Sequence, residues 1–216
     1  SSGVRFRSIS ANGGTNAIVL TNTGTDSFNV SGDFGTTANA SGGTIANTTG
    51  PAVLLNTIGG LVSLHAMNIQ NGQDDGIRAV STNGLTLSYS NLSNNGNSST
   101  SASLTELESG IEFQQATGAI SILNSTISGS SSHNLHLQNT SGTLTSLTIR
   151  NSTFSNTNAS TGGDGVFVSM PSGAGVIQSI LVEDSTFSTN RTDGIQINAE
   201  GTSNVNSFTF RNNTVN

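Results

Sequence analysis

Ionisable side chains recur at fixed positions in five similar segments, and their types are those that bind or process ligands. The segments read DGIRA, SGIEF, HNLHL, DGVFV and DGIQI and begin at residues 75, 109, 133, 164 and 193. If the segments stack in register, their charged and imidazole groups fall along one line. We call this line the Asp75–Asp193 edge, and its candidate ligand-binding residues are Asp75, Arg78, Glu112, His133, His136, Asp164 and Asp193.

Two chemistries are open to this edge. Neighbouring strands lie about 4.8 Å apart, so Asp164 and Asp193 would have the separation of the two carboxylates of a retaining glycosidase. Grouped carboxylate oxygens could also hold calcium. The structural alternative is that Asp-Gly forms ordinary turns and that Arg78 pairs with Glu112 across strands. We favour this alternative and expect no cofactor, because the sequence lacks the GGxGxD repeat of calcium-binding solenoids.

The elements that must position these residues are short β-strands. Apolar and variable positions alternate in each segment, which is the period of a strand with one buried face. Earlier copies, NAIVL and PAVLL, begin at residues 16 and 51. A second segment, typified by ILNSTISG (122–129) and IRNSTFSN (149–156), recurs between them. Its last apolar residue returns at steps of 23 to 36 residues, with a mean of about 29, at Ile9, Ile45, Ile69, Leu92, Ile127, Phe154, Phe187 and Val215.

The alternation also predicts which side chains point inward. One inward column contains Ile18, Leu20, Val53, Leu55, Ile77, Ala79, Ile111, Phe113, Leu135, Leu137, Val166, Val168, Ile195 and Ile197. A second contains Val4, Val62, Leu64, Leu85, Leu87, Ile120, Ile122, Leu147, Ile149, Ile180, Val182, Phe208 and Phe210. Each repeat then buries its apolar face against its neighbours, so the predicted core is long and thin.

The composition fits a repetitive β-structure and narrows the function. The chain has 216 residues, no cysteine, a net charge of -6 and only 8% charged residues. Periodic apolar positions argue against disorder. The acidic balance argues against a nucleic-acid partner, and the absence of an 18-residue apolar run argues against membrane insertion. Without cysteine, neither disulfides nor Cys-zinc sites can form.

Asparagine and aspartate recur at two bends of the repeat. Their short side chains suit tight bends, and stacked amides can hydrogen-bond along a column. We predict two structural ladders, formed by Asn124, Asn151, Asp184 and Asn212 and by Asn47, Asn71, Asn94 and Asn156. A charged column of Arg150, Glu183 and Arg211 predicts cross-strand ion pairs, and His65, further up that column, is expected to be solvated.

Together these patterns predict an all-β fold, a right-handed parallel β-helix solenoid of about seven to eight coils. Residues 1–216 form one β-helix domain, with loop insertions at 32–43 and 94–108 that we place on one side. The chain starts and ends in the same part of a coil without a capping helix. We therefore expect an internal segment of a longer protein, whose open strand edges could join copies end to end.

The NST[IF]S segments, the [DN]G[IV] segments and the asparagine columns cover nearly the whole chain. They resemble the pectate-lyase-like superfamily of right-handed β-helices, and more closely the Asn/Ser/Thr-rich repeats of large exported bacterial surface proteins. The resemblance implies an extracellular or cell-surface location and a glycan or another surface protein as partner. It carries over no catalytic residue, because nothing around the adjacent Asp74 and Asp75 completes the pattern of the superfamily's hydrolases.

The expected function is therefore a structural or adhesive module rather than an enzyme. One alternative is a β-helix that binds or degrades polysaccharide, and another is a self-stacking fibre subunit. Sugar binding commonly uses exposed aromatic rings, and this chain has one Tyr, no Trp and Phe mostly at inward positions. That scarcity counts against the polysaccharide alternative.

Overall fold

The computed structural model describes residues 3–96, 108–158 and 160–216. Every regular element in these residues is a β-strand, and the strands pair in parallel. The described residues contain no helix that could cross a membrane. The predictions of an all-β fold and of parallel pairing are therefore confirmed.

The strands form one sheet of 16 strands and one of 8 strands. The long strand β9 (Ile77–Ser88) runs through two parts of the larger sheet. We name these parts the Ile77 ladder and the Leu85 ladder after residues of β9. The smaller sheet is the Leu92 ladder, named after a residue of β10 (Asn91–Ser93).

The remaining strands divide among the three ladders. The Ile77 ladder also contains β3 (Ile18–Thr23), β6 (Val53–Ile58), β11 (Ile111–Gln114), β14 (Leu135–Gln138), β17 (Val166–Gly173) and β21 (Ile195–Gly201). The Leu85 ladder contains β1 (Val4–Phe6), β4 (Phe28–Val30), β7 (Val62–His65), β12 (Thr117–Leu123), β15 (Thr143–Arg150), β18 (Val176–Ile177), β19 (Ile180–Glu183), β22 (Asn204–Val205) and β23 (Phe208–Arg211). The Leu92 ladder contains β2 (Ala11–Asn12), β5 (Gly43–Ala46), β8 (Met67–Gln70), β13 (Thr126–Ser128), β16 (Thr153–Ser155), β20 (Thr186–Ser188) and β24 (Thr214–Val215).

The core consists of the inward side chains of all three ladders. Every predicted inward residue between 53 and 168 in the Ile77 ladder, and between 62 and 182 in the Leu85 ladder, is buried. The Leu92 ladder adds a third inward column that includes Ile69, Phe154 and Phe187. Three predicted inward residues near the chain ends are exposed, because β1 and β23 each pair on one side only: Val4, Phe208 and Phe210. Three more, Leu20, Ile195 and Ile197, are partly buried.

The predicted register of the Leu92 ladder is wrong at its first strand. Ala11, not Ile9, is the backbone partner of Ile45. A shift of two residues keeps every side chain on the same face of a strand, so alternation alone does not exclude it. Strand β4, which the repeat pattern does not predict, lies between β1 and β7 in the Leu85 ladder.

The two insertions leave the fold at different bends, so the prediction that they share one side is wrong. Residues 32–43 begin after β4 and lead into β5, between the Leu85 and Leu92 ladders. Residues 94–108 follow β10 and precede β11, between the Leu92 and Ile77 ladders, and residues 97–107 lie outside the described residues. Only the second insertion is located at the bend that contains the Asp75–Asp193 edge, between the Leu92 and Ile77 ladders.

The predicted asparagine ladders lie at bends where the backbone is left-handed. Asn124, Asn151, Asp184 and Asn212 have φ between 48° and 55°. In the second column, Asn47, Asn71, Asn94 and Asn156 have φ between 54° and 57°. Asparagine and aspartate tolerate this conformation better than other residues with a side chain, which explains their recurrence here.

Serine, not asparagine, supplies the side-chain ladder at the bend between the Leu85 and Leu92 ladders. Each serine hydroxyl accepts the backbone N–H of the equivalent residue one strand earlier in the stack, at 3.0–3.2 Å. The Met67 N–H donates to Ser90, that of Ser90 to Ser125, that of Ser125 to Ser152 and that of Ser152 to Ser185. The Ser185 N–H donates to Asn213. Each hydroxyl also donates to the carbonyl two residues before it.

Candidate functional site

The Asp75–Asp193 edge lies where the Leu92 ladder turns into the Ile77 ladder. Its predicted column is present, because Arg78, Glu112, His136 and Phe167 are successive backbone partners in β9, β11, β14 and β17. The edge is much less exposed than a solvent-facing column would be, since Asp75 is 0%, Glu112 1% and His136 4% exposed. Buried polar groups need hydrogen-bond partners, so their contacts decide what this edge can do.

Asp75 and Arg78 form the charged end of the edge. Asp75 Oδ2 accepts from Arg78 Nε at 2.7 Å, and Asp75 Oδ1 accepts from the Ser109 N–H at 2.6 Å. Arg78 Nη2 also donates to Asp74 Oδ1 at 3.3 Å. Asp75 therefore links one strand of the stack to the next through its side chain.

Burial raises the pKa of Asp75 well above its usual range, and the negative charge of Glu112 adds to this effect. Arg78 and the Ser109 N–H act in the opposite direction. Burial and a nearby like charge both disfavour the ionised form of a carboxyl, and this raises its pKa. Shifted pKa values of this kind are typical of functional sites and also occur in structural ion-pair networks.

Glu112 was predicted to pair with Arg78 across the strands. The two residues are backbone partners, but the ion pairs of Arg78 are with Asp74 and Asp75. Gln114 Nε2 donates to Glu112 Oε1 at 2.5 Å. The predicted assignment of the ion pair is therefore wrong, because the turn brings Asp74 and Asp75 of the same chain segment closer to the guanidinium.

His133, Asp164 and Asp193 are brought together by successive turns. The Asp164 N–H donates to His133 Nδ1 at 2.9 Å, so Nδ1 is unprotonated in this arrangement. Asp164 Oδ1 accepts from the Asp193 N–H at 3.0 Å and from the Thr192 hydroxyl. The side chain at each turn thus accepts the backbone N–H of the equivalent turn in the next strand.

His136 lies within a group of rings. Its imidazole stacks on Phe167 at a centroid distance of 5.3 Å and an interplanar angle of 9°. Burial lowers the pKa of His136 to about 4, and the adjacent His133 contributes to the decrease. Burial also lowers the pKa of His133, against the opposing charge of Asp164. Both imidazoles are therefore neutral at pH 7.

A second charged group confirms the predicted column of Arg150, Glu183 and Arg211. Both arginines form ion pairs with Glu183, and Arg211 Nε donates to Glu183 Oε2 at 2.6 Å. The hydrogen bond from Arg211, with support from Arg150, lowers the pKa of Glu183. The three residues are backbone partners on neighbouring strands of the Leu85 ladder.

Hydrogen bonds that the sequence does not predict order the insertion at 32–43. Asp33 accepts from the Gly35 N–H, the Asn39 amide and the Ser41 hydroxyl at 2.8–2.9 Å, and these bonds lower its pKa to about 2. His65, predicted to be solvated, instead contacts Ser88 Oγ at 2.8 Å and the Gly35 carbonyl at 2.9 Å. The two partners of His65 are 23 and 30 residues away in sequence, so no local pattern predicts these contacts.

Metal binding requires several ligands that converge on one point. The part of the chain that the structure describes contains no group of three or more His, Cys, Asp or Glu residues arranged to hold a metal ion. At the Asp75–Asp193 edge, Asp75 Oδ1 and Asp164 Oδ1 are directed at backbone N–H groups.

No protein-family model, curated protein or solved structure matches this chain.

Proposed function

We propose that this chain is a right-handed parallel β-helix of seven to eight coils and a structural, adhesive module of a large secreted or cell-surface bacterial protein. The chain order of the strands supports the solenoid, because the chain visits the Leu85, Leu92 and Ile77 ladders in the same order throughout; in the last two circuits the Leu85 ladder receives two short strands each time, β18 with β19 and β22 with β23. The eight strands of the Leu92 ladder support the proposed number of coils.

The observation that carries the structural role is how the edge residues bond. Asp75 accepts from Ser109, His133 accepts from Asp164, and Asp164 accepts from Asp193. In each case a side chain on one coil accepts the backbone N–H of the next. These residues use their hydrogen-bonding capacity to join coils, which suits a stiff spacer better than a reaction centre.

An adhesive role is supported by the outward face of the Leu92 ladder. Its side chains are uncharged and rich in hydrogen-bonding groups: Thr44, Asn68, Gln70, Asn91, Ser93, Thr126, Ser128, Thr153, Thr186 and Ser188. Hydroxyl and amide groups in a regular array can bond many polar surfaces weakly. Adhesion would then come from many weak contacts along the rod.

A polysaccharide-binding role is the second candidate, and one observation favours it. Phe167 is half-buried, and its ring lies 4.9 Å from that of His133, whose Nδ1 is 3.5 Å from Asp164 Oδ2. Asp193 lies in the following turn, where its N–H donates to Asp164. A partly exposed ring next to acidic groups is a familiar way to bind a sugar. Asp193 is the more exposed of the two carboxylates and is the residue to test.

The two candidates predict different results in one experiment. The wild type and Asp193→Asn should be compared on a glycan array and in uronate-lyase and glycosidase assays, with and without calcium. The structural proposal predicts no turnover and the same weak surface retention for both proteins in a bead-adhesion assay. Turnover or saturable glycan binding that Asp193→Asn abolishes would replace it with the polysaccharide candidate. Thr153→Lys, on the Leu92 face, should reduce bead retention while leaving the fold intact.

A further inference from the structure

The imidazoles of His133 and His136 form a three-ring cluster with Phe167. The centroid of His133 lies 5.6 Å from that of His136 and 4.9 Å from that of Phe167. His136 and Phe167 are backbone partners in β14 and β17, so the cluster spans neighbouring strands. His136 is 4% exposed, and the His133 side chain is 13% exposed.

The hydrogen bonds of the cluster require neutral imidazoles. His133 Nδ1 accepts the Asp164 N–H at 2.9 Å, and a nitrogen that carries a proton cannot accept. His136 Nδ1 is buried and has no hydrogen-bond partner among the described residues. A proton on it would be a buried charge without an acceptor, which is far more costly than an unpaired neutral nitrogen.

Charged groups lie near the cluster on one side of the column and at the turns. On one side, β11 contributes Glu112 and β9 contributes Arg78, whereas on the other side β17 and β21 contribute the uncharged Phe167 and Gln196. The turns contribute Asp75, Asp164 and Asp193. They also contribute Glu108, whose Oε2 accepts from the Ser131 hydroxyl at 3.5 Å. Burial and the proximity of the two imidazoles outweigh these acids at His136, whose pKa falls to about 4.

We infer that His133, His136, Phe167 and Asp164 form an acid-sensitive clasp that holds the turns before β14 and β17 together at neutral pH and releases them in acid. Protonation of His133 removes the acceptor of the Asp164 N–H. Asp164 Oδ2 lies 3.5 Å from the same nitrogen and would attract the added charge, but burial outweighs this attraction and lowers the pKa of His133. Protonation of His136 places a second positive charge within the ring cluster. The two events act on the same turns, so the Ile77 ladder should loosen there before the rest of the fold.

The sign of the effect follows from proton linkage. The pKa of His136 is about 4 in the folded chain and 6.5 in its ordinary state. The unfolded chain therefore binds a proton more readily, and stability is full above pH 6.5 and falls as the pH decreases toward 4. This one group should reduce the folding equilibrium constant on the order of 100-fold between pH 7 and pH 4.

The first test is a titration of the wild type by NMR, with amide exchange measured at each pH. The His136 ring should titrate near pH 4, and the amides of Leu135–Gln138 and of residues 164–168 should lose protection before those of the Leu92 ladder. A His136 ring that titrates near 6.5 would overturn the inference. Uniform loss of protection across all strands would do the same.

The second test uses variants that keep the packing and remove the titration. His136→Phe preserves the ring stack, and His133→Asn preserves an acceptor for the Asp164 N–H. Urea unfolding of the double variant should show a pH dependence between 7 and 4 that is smaller by about two orders of magnitude in the folding constant. His65→Asn is the matched control and should retain the wild-type dependence. An unchanged dependence in the double variant would refute the clasp.

Discussion

Ser152 shows how much a single hydroxyl does at a bend of this fold. Its Oγ accepts the buried Ser125 N–H at 3.2 Å and donates to the Arg150 carbonyl at 2.9 Å. Ser152→Ala would leave that N–H without an acceptor, which costs about 1–3 kcal/mol. We expect the free energy of unfolding, measured by urea denaturation, to decrease by this amount.

The control for Ser152→Ala is Ser128→Ala. Ser128 points away from the core in β13, so its replacement should change the free energy of unfolding by less than about 0.5 kcal/mol. Equal effects of the two substitutions would mean that the serine ladder contributes nothing specific. The difference between the two variants, rather than either value alone, measures the ladder.

Asn151 tests whether the asparagine columns act through the backbone or through stacked amides. Its φ is 48°, a conformation that costs an ordinary residue about 1–2 kcal/mol. Asn151→Ala should therefore destabilise the fold by about 1 kcal/mol, whereas Asn151→Gly should cost less, because glycine adopts positive φ without a steric penalty. If glycine is as harmful as alanine in thermal unfolding, the amide itself makes the contribution.

In β16 the large buried side chain is Phe154. Phe154 is fully buried and stacks on Phe187 of β20 at 5.5 Å with an interplanar angle of 10°. Phe154→Ala would remove this contact and leave a cavity in the Leu92 ladder, at a cost of about 3–5 kcal/mol. Urea unfolding should show this loss, and Thr153→Ala on the outward side of the same strand should remain near wild type.

The strands of the Ile77 ladder could be predicted because their side chains alternate strictly. Ile77, Ile111 and Leu135 are each preceded by a turn and pair in the predicted register. The predicted register of the Leu92 ladder was wrong at its first strand, where Ala11 rather than Ile9 pairs with Ile45, because a shift of two residues preserves the buried face. Alternation thus determines which face is buried but leaves even-numbered shifts open.

The contacts at the Asp75–Asp193 edge were less predictable than its register. The sequence placed Arg78 beside Glu112 correctly, yet Arg78 bonds Asp75 and Asp74. A flexible side chain chooses among several acids within reach, and the choice depends on turn geometry that single-residue patterns do not encode. For the same reason, the sequence predicts that His136 and Phe167 share a column but does not predict that their rings stack.

At the scale of the whole molecule, a solenoid is defined by the equivalence of its coils. Ile127 and Phe154 are backbone partners on adjacent strands, so residues 128–154 constitute one complete coil of the proposed solenoid. Deletion of these 27 residues joins Ile127 to Ser155 at an equivalent position. The deletion brings β11 next to β17 and β12 next to β19, with apolar residues facing apolar residues.

We expect this coil-deletion variant to fold, because stability in a solenoid is a sum of coil and neighbour contributions. Its serine ladder can re-form with Ser185 as acceptor for the Ser125 N–H, which Ser152 accepts in the wild type. Circular dichroism should retain the β signal, and X-ray scattering should show a rod shorter by about 4.8 Å.

The matched control deletes residues 128–147 and joins Ile127 to Thr148, which belongs to the Leu85 ladder rather than to the Leu92 ladder. This shorter deletion removes fewer residues but breaks the order of the ladders, so it should not fold cooperatively. A globular β-fold with a unique core would lose its structure in both variants. Folding of the longer deletion and failure of the shorter one is a result that only a stack of equivalent coils predicts.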